Sequence, residues 1–343
     1  MSDVTTDLPP GGLMRERAGT VPNAIAIGYA TIGHVVALFF LARGTPLSLI
    51  AGIVLAVHTM VIAAYLIHEA AHYTLFRDPA HNRRTGEVMA WVCGAAYVSF
   101  ERIRHMHLRH HRDRADVTVF DYKALLKSHP VLRDAVYTLE WLHIPAVELI
   151  MHAQLLVRPF VRAGEEDRRT RVLTMLVSRI ALFAMLFAAS PWAIAAYAVA
   201  YWMLLTILNF FDAFHHTFPQ YFIHDEHFKV PMESRDRAYE QENTYSNVIS
   251  ARWPWLNLLT LNFGYNNAHH ERAAVPWYRL PAWHRELHGT APQALLPLPE
   301  LLKTFHRHRL KRVLDDDYGA VGTGPGRADG FIGAHGVSFL TVV

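Results

Sequence analysis

The sequence predicts an all-α integral membrane protein: four transmembrane helices in two hairpins, with a cytoplasmic helical cap that holds clustered histidines. Three observations carry this. Four runs with at most one charge reach, or nearly reach, the roughly 20 residues a helix needs to cross a bilayer. The runs come in two pairs, each joined by a short turn. The chain has 23 histidines, and four clusters of them lie at or beyond the same ends of those runs.

Residues 1–20 are polar, contain Pro9-Pro10-Gly11-Gly12, and are expected to form a flexible tail. Residues 21–42 and 44–67 carry no formal charge, and the Ala42-Arg43-Gly44-Thr45-Pro46 stretch where they meet is a turn. Residues 172–189 carry one charge, Arg179, and residues 191–211 none, with a turn at Ser190-Pro191. Arg179 is close enough to the end of its span to snorkel toward water. Residues 88–100 are too short to span and suit a re-entrant or surface helix. Residues 134–160 mix apolar residues with Glu140, His143, Glu148 and His152, which suits one amphipathic interfacial helix. Trp253, Trp255, Trp277 and Trp283 suit a membrane-interface belt. Residues 21–312 thus form the membrane domain. Residues 313–343 turn acidic, then glycine-rich (GAVGTGPGRADG), then apolar; a flexible C-terminal tail without an assigned role is expected.

Charge sets orientation. Arg15 and Arg17 precede the first span, Arg77 to Arg104 come after the second, and Arg158 to Arg171 precede the third, while the hairpin tips hold only Arg43. Positive residues stay inside, so both termini and the cap are cytoplasmic. The arginine-rich, lysine-poor composition without a targeting peptide points to a bacterial inner membrane. A net charge of +3 speaks against a nucleic-acid binder. Cys93 is the single cysteine, which excludes an internal disulfide, a thiolate cage and an iron–sulfur cluster.

Four histidine clusters remain. HEAAH puts His68 and His72 one helical turn apart on one face. In HLRHH, His107, His110 and His111 fall at i, i+3 and i+4, with His105 on the other side as a bystander. NNAHH repeats that spacing with Asn266, His269 and His270, and His215-His216 come after Asp212 at the end of the fourth span. A solvated basic helix or crowded helix ends would explain any one cluster, but not all of them on one side of the membrane. About eight imidazoles there suit two metal ions, and nitrogen ligands fit iron, copper, zinc or nickel.

HEAAH, HLRHH and NNAHH, in this order between paired apolar hairpins, resemble the three histidine boxes of membrane-bound fatty acid desaturases and related hydroxylases. The run VPWYRLP resembles the segment after the third box in bacterial members. The resemblance covers roughly residues 25–285. It implies a non-haem di-iron centre that uses O2 to act on an unactivated C–H bond of a lipid or acyl substrate. It implies His68, His72, His107, His110, His111, His216, His269 and His270 as iron ligands, with Asp212, His215 and Asn266 as further ligands or supports. Asn266 departs from the family, whose third box opens with histidine. Glu69, Asp113, Asp116 and Glu271 are carboxylates within reach of the boxes. No cofactor motif for electron supply is present, so a separate ferredoxin- or cytochrome-type donor with its reductase is expected.

Two other readings compete. HEAAH also matches the zinc-protease pattern, with Glu69 as general base. His34 and His58 lie inside spans, where they either hold a haem or hydrogen-bond between helices. His224 and His227 in FIHDEHF read either as a loop pair or, by preference, as part of a solvated loop.

Overall fold

The computed structural model describes residues 12–118, 120–218, 222–223, 235–289, 294–337 and 340. His224, His227 and residues 1–11 lie outside them. The regular structure among these residues is helical, apart from two paired two-residue strands, β1 (Val117–Thr118) and β2 (Phe222–Ile223).

Four helices are long and apolar enough to cross a membrane: α1 (Thr20–Arg43), α2 (Pro46–Ala71), α8 (Arg169–Ala189) and α9 (Pro191–Ala213). Each hairpin tip has a chemical cause. Gly44 takes a left-handed conformation (φ 68°) that ends α1, and the Thr45 side chain caps α2 in a reciprocal pair with Ser48, with Pro46 in the first turn. Extended Ser190 with Pro191 after it separates α8 from α9. The two tips touch: a Cβ on Gly44 would sit 2.4 Å from Ser190 Oγ. Both hairpins therefore point the same way, and α2 and α9 deliver their other ends to one place. Helix α2 is the most enclosed of the four and α8 the least. Ile25, Ile32, Val35 and Phe39 on α1, and Val177, Ile180 and Phe187 on α8, face outward as lipid-facing residues should.

The connecting helices form the cap. Helix α3 (Pro79–Cys93) begins on the Asp78 cap and stops at Gly94 (φ 87°); α4 (Phe100–Asp113) begins on the Ser99 cap. The apolar run 88–100 is thus not one short helix but the end of α3, a turn and the start of α4. Next come α5 (Tyr122–Ser128), α6 (Pro130–Trp141) and α7 (Ala146–Val161). The single helix expected over 134–160 is two, because Pro145 disfavours helix at the residue before it and His143 turns left-handed (φ 59°). Outward-facing Val131, Trp141, Leu142, Val157 and Val161 keep the interfacial character of both. Beyond α9 come α10 (Arg237–Glu242), α11 (Asn266–Glu271), α12 (Leu280–His288), α13 (Leu298–Arg307) and α14 (Lys311–Leu314).

Three expectations are corrected. Trp253 and Trp255 are exposed as a belt requires, but Trp277 is buried, its indole donating to Asn23 Oδ1 (2.9 Å), and Trp283 donates to the Ala268 carbonyl (3.1 Å). Arg179 is 8% exposed and turns inward instead of snorkelling. The expected C-terminal tail packs: Tyr318, Phe331, Ile332, Ala334 and His335 are buried. Phe331 meets the Phe214 ring at 5.2 Å, and the Ala334 amide donates to the Ala213 carbonyl (2.9 Å), an orphan at the end of α9. His335 donates from Nδ1 to Asn209 Oδ1 (3.1 Å) and lies 3.2 Å from Glu140 Oε1 through Nε2. The glycine-rich composition that suggested flexibility supplies positive-φ positions at residues 319, 324, 326, 333 and 336 instead.

Phe331→Ala should therefore cost about 3–5 kcal/mol, the range for a buried aromatic. A fall in the thermal midpoint of the detergent-purified protein would register it, while Leu302→Ala, at an exposed position, should leave the midpoint unchanged.

Candidate metal centre

Helix α2 runs past its apolar stretch and carries His68 and His72 beyond the core. Around them the cap folds the other histidines. His68, His72, His107, His111 and His269 each offer a nitrogen within 4.8 Å of all the others; His110, His216 and His270 form a second such set. The adjacent histidines of each motif are divided between the sets. Neighbours on a helix project about 100° apart. His111 and His269 therefore turn to one set, and His110 and His270 to the other.

The nitrogens of the first set converge. His72 Nε2 and His107 Nε2 lie 2.7 Å apart, His107 and His111 3.2 Å, and His111 and His269 3.1 Å. Two nitrogens each about 2.1 Å from one ion, at right angles, lie roughly 3.0 Å apart. That is the spacing of ligands around a common ion, and equally that of N–H···N hydrogen bonds between neutral rings.

In the second set the backs of the rings are held. His110 Nδ1 is 3.0 Å from the Ala115 carbonyl, which only accepts. His216 Nδ1 is 3.2 Å from Thr244 Oγ1, whose own proton goes to the Glu240 carbonyl (2.6 Å). His270 Nδ1 is 2.9 Å from Glu240 Oε1. All three rings thus carry their proton on Nδ1 and present Nε2 with its lone pair free, the arrangement that orients metal-binding histidines. The other Glu240 oxygen accepts from Arg114 Nε (2.9 Å).

Burial keeps these rings neutral. It pushes His107, His111, His216, His269 and His270 well below the ordinary imidazole range, and neighbouring imidazoles push further. His110 falls to about 4 and His215 to about 3, again through burial first. A neutral imidazole is the ligand form. The sets border a cavity of about 50 Å³ whose walls include Met106, Asp212, His215, Phe263, Asn266 and Val337. Asp116 also lines it, and burial raises its carboxyl to about 7 against the pull of Arg235.

Asp212, expected behind His216, lies instead beside His215 at 3.9 Å. Helix α9 ends at Ala213, so the helical register that would have set Asp212 against His216 does not continue. His215 lines the cavity but belongs to neither set. Asn266 Nδ2 faces the His215 carbonyl at 3.4 Å. Among the carboxylates named from the sequence, Asp113 pairs with Arg109 and Arg112, and Glu271 with Arg237. Asp116 stands on the cavity wall, 3.4 Å from His110 Nδ1, and a further carboxylate, Glu240, is grouped with His111 and His270. No sequence signal pointed to Glu240, since it lies outside every histidine motif.

The competing readings lose their chemistry. Glu69 Oε2 accepts from the Thr74 hydroxyl (2.6 Å) and the Trp277 amide (3.1 Å), so the general base of the protease reading is spent on structure. His58 donates through Nε2 to the Leu259 carbonyl (3.2 Å) and accepts through Nδ1 from the Tyr29 hydroxyl (2.6 Å). Neither nitrogen is left for haem. His34 Nδ1 bonds Thr59 Oγ1 (3.2 Å), between α1 and α2.

The family model for Fatty acid desaturase matches residues 44–301. The chain belongs to the fatty acid desaturase family. A comparison with curated proteins finds no match. Membership of this family, four membrane-spanning helices and a histidine cluster able to bind metal make the chain an integral-membrane oxidoreductase with desaturase or hydroxylase activity.

Thr244→Val should remove the acceptor behind His216 and weaken Co²⁺ binding at the three-histidine set by about 10–100-fold. Titration by visible absorption should find the five-histidine set unaltered. Acid should destabilise the metal-free protein. Unfolded histidines take up protons near 6.5, whereas His110 and His215 do so only near 4 and 3 when folded. Between these values the unfolded state holds more protons, so stability falls as pH drops from about 6.5 toward 4. Denaturation of the apoprotein at stepped pH should show that slope, and bound metal should reduce it.

Proposed function

We propose that this chain is a non-haem di-iron enzyme that uses O2 to desaturate or hydroxylate an unactivated C–H bond of a lipid or acyl chain. The division of eight buried or half-buried histidines into two sets, six of the eight lining one cavity, carries this reading. We assign His68, His72, His107, His111 and His269 to one iron, and His110, His216 and His270 to the other. Iron there supplies the redox chemistry that a C–H bond, having no acidic proton, requires.

The chain's own residues do the rest. Ala115, Thr244 and Glu240 hold the second set by Nδ1 and keep each Nε2 aimed inward. Glu240, with Arg114 on its other oxygen, brings negative charge beside rings that are themselves uncharged. It stands within reach of His111 and His270 and is available to a metal there. Asn266 occupies the position where the family's third motif opens with histidine, and it supports His215 from the cavity wall. Met106, Phe263 and Val337 give that cavity an apolar side, which excludes water from the reacting position.

A lipid substrate is supported by the family and by the membrane location. Electrons come from a separate ferredoxin- or cytochrome-type donor and its reductase. The distribution of arginine supports a cytoplasmic metal centre and cytoplasmic termini, in a bacterial inner membrane.

Metal analysis of detergent-purified protein is the direct test. We expect close to two irons per chain, and about one after either His72→Ala or His216→Ala. O2-dependent conversion of an acyl lipid should fall by at least the ~100-fold that loss of a supporting partner alone causes. Glu69→Gln should keep both irons. A single zinc lost only with His68→Ala or His72→Ala would overturn the reading.

A further inference from the structure

Arg179 is the one charge within the four spans' apolar runs, and it lines a second cavity of about 350 Å³. The cavity lies between α7, α8 and α9, closed by the turn after α3. His152 and Leu156 come from α7, Arg179 and Phe183 from α8, and Tyr197 and Tyr201 from α9. Its volume falls at the lower end of small-molecule sites, and its lining is mainly apolar and aromatic around one cation. It is distinct from the metal cavity. Tyr201 and Asp212 are roughly 16 Å apart along α9 at 1.5 Å per residue, and Leu204, Leu205 and Leu208 are packed between them.

The partners of Arg179 are all neutral. Its guanidinium donates to the Trp91 carbonyl and to the Tyr197 hydroxyl (3.4 Å), and stands 5.2 Å from the Trp91 ring centroid. Among the described residues no carboxylate forms an ion pair with it. The Trp91 contact caps the end of α3, which accounts for a donor at this place. It does not account for a charge: a neutral amide would satisfy the same carbonyl at a smaller desolvation cost. Ionisable groups at membrane depth pair with a counter-charge or line a pathway. Here the counter-charge is missing, and the space beside the guanidinium is a cavity with an apolar wall.

We infer that this cavity is a binding site for an anionic amphiphile, its acidic head on Arg179 and its acyl chain along Leu156 and Phe183. A fatty carboxylate and the phosphate of a phospholipid share this chemistry. The site works without the metal centre, so its test does not depend on catalysis.

Trp91 supplies the reporter, because it lies against the guanidinium. The full chain in a neutral detergent would be titrated with a dibrominated C18 fatty acid and with dibrominated phosphatidylglycerol, read by tryptophan quenching. The dibrominated methyl ester and dibrominated phosphatidylcholine serve as the uncharged and zwitterionic controls. We expect saturable quenching, lost in Trp91→Phe, with an anionic probe at least tenfold tighter than its control. Saturation by the fatty acid alone, or by phosphatidylglycerol alone, identifies the source of the anion. Arg179→Gln should weaken binding at least tenfold. Ala198→Phe, which narrows the cavity but keeps the guanidinium and the cap on α3, should do the same with metal content unchanged. Equal affinity for anionic and control probes overturns the inference, as does unaltered binding in folded Arg179→Gln. Should Arg179→Gln fail to fold, unaltered binding in Ala198→Phe overturns it.

Discussion

The neutrality of the buried imidazoles is the constraint on which the rest of the cap depends. Eight histidines packed this closely repel one another if protonated, and burial makes each protonation dearer still. Burial keeps His107, His110, His111, His216, His269 and His270 neutral without metal, and a neutral ring has one donor and one acceptor to satisfy. The fold answers on the donor side for the second set, with the Ala115 carbonyl, Thr244 Oγ1 and the Glu240 carboxylate. The acceptor side is left facing inward. In the first set the inward nitrogens lie 2.7–3.2 Å apart, so neutral rings share N–H···N contacts there and offer the same nitrogens to a cation. The hydrogen bonds behind the second set thus orient its rings for a metal.

Much of the fold was legible because it depends on length and spacing. A 20-residue apolar run has few alternatives to a membrane helix, and histidines three and four residues apart share a helical face whatever surrounds them. The illegible part depends on contacts distant in sequence. His110 and His111 diverge by local helix geometry, but the partners each one meets, His216 and His270 or His72 and His269, come from segments distant in sequence, and no local pattern carries that. Glu240 reaches His270 from 30 residues away. It was invisible beside more conspicuous carboxylates, such as Asp113 and Glu271, that turn out to serve arginines. The break at Pro145 was readable from the sequence and was overridden by the apolar pattern on both sides of it.

The C-terminal segment failed for a different reason. Composition suggested flexibility, because glycine permits many conformations; here it permits the few that are needed. A Cβ at Gly333 would lie 2.6 Å from the Ala213 carbonyl, and one at Gly336 2.8 Å from the Tyr122 ring, so close backbone approach is what these positions require. The segment covers the end of α9, where the chain leaves the helix and delivers His216. It also brings Val337 to the wall of the metal cavity. Its packing therefore bears on the histidine centre and not on the terminus alone.

Asn266 shows how a departure from the family's motif is accommodated. A histidine there would add a further imidazole to a wall that already holds His215. The asparagine instead donates to the His215 carbonyl, just before the bridge in which His216 pairs with Thr244. It thus contributes to the path of the segment that presents His216. The coordinating capacity given up at Asn266 has a counterpart in Glu240, which stands beside His270 in the same pocket of rings. A carboxylate brings a negative charge that a histidine would not, so the exchange makes the proposed second site more favourable to a cation. The same Thr244 that accepts from His216 donates to the Glu240 backbone. The ring, its support and the carboxylate consequently move as one unit, and a shift of α10 would disturb all three together.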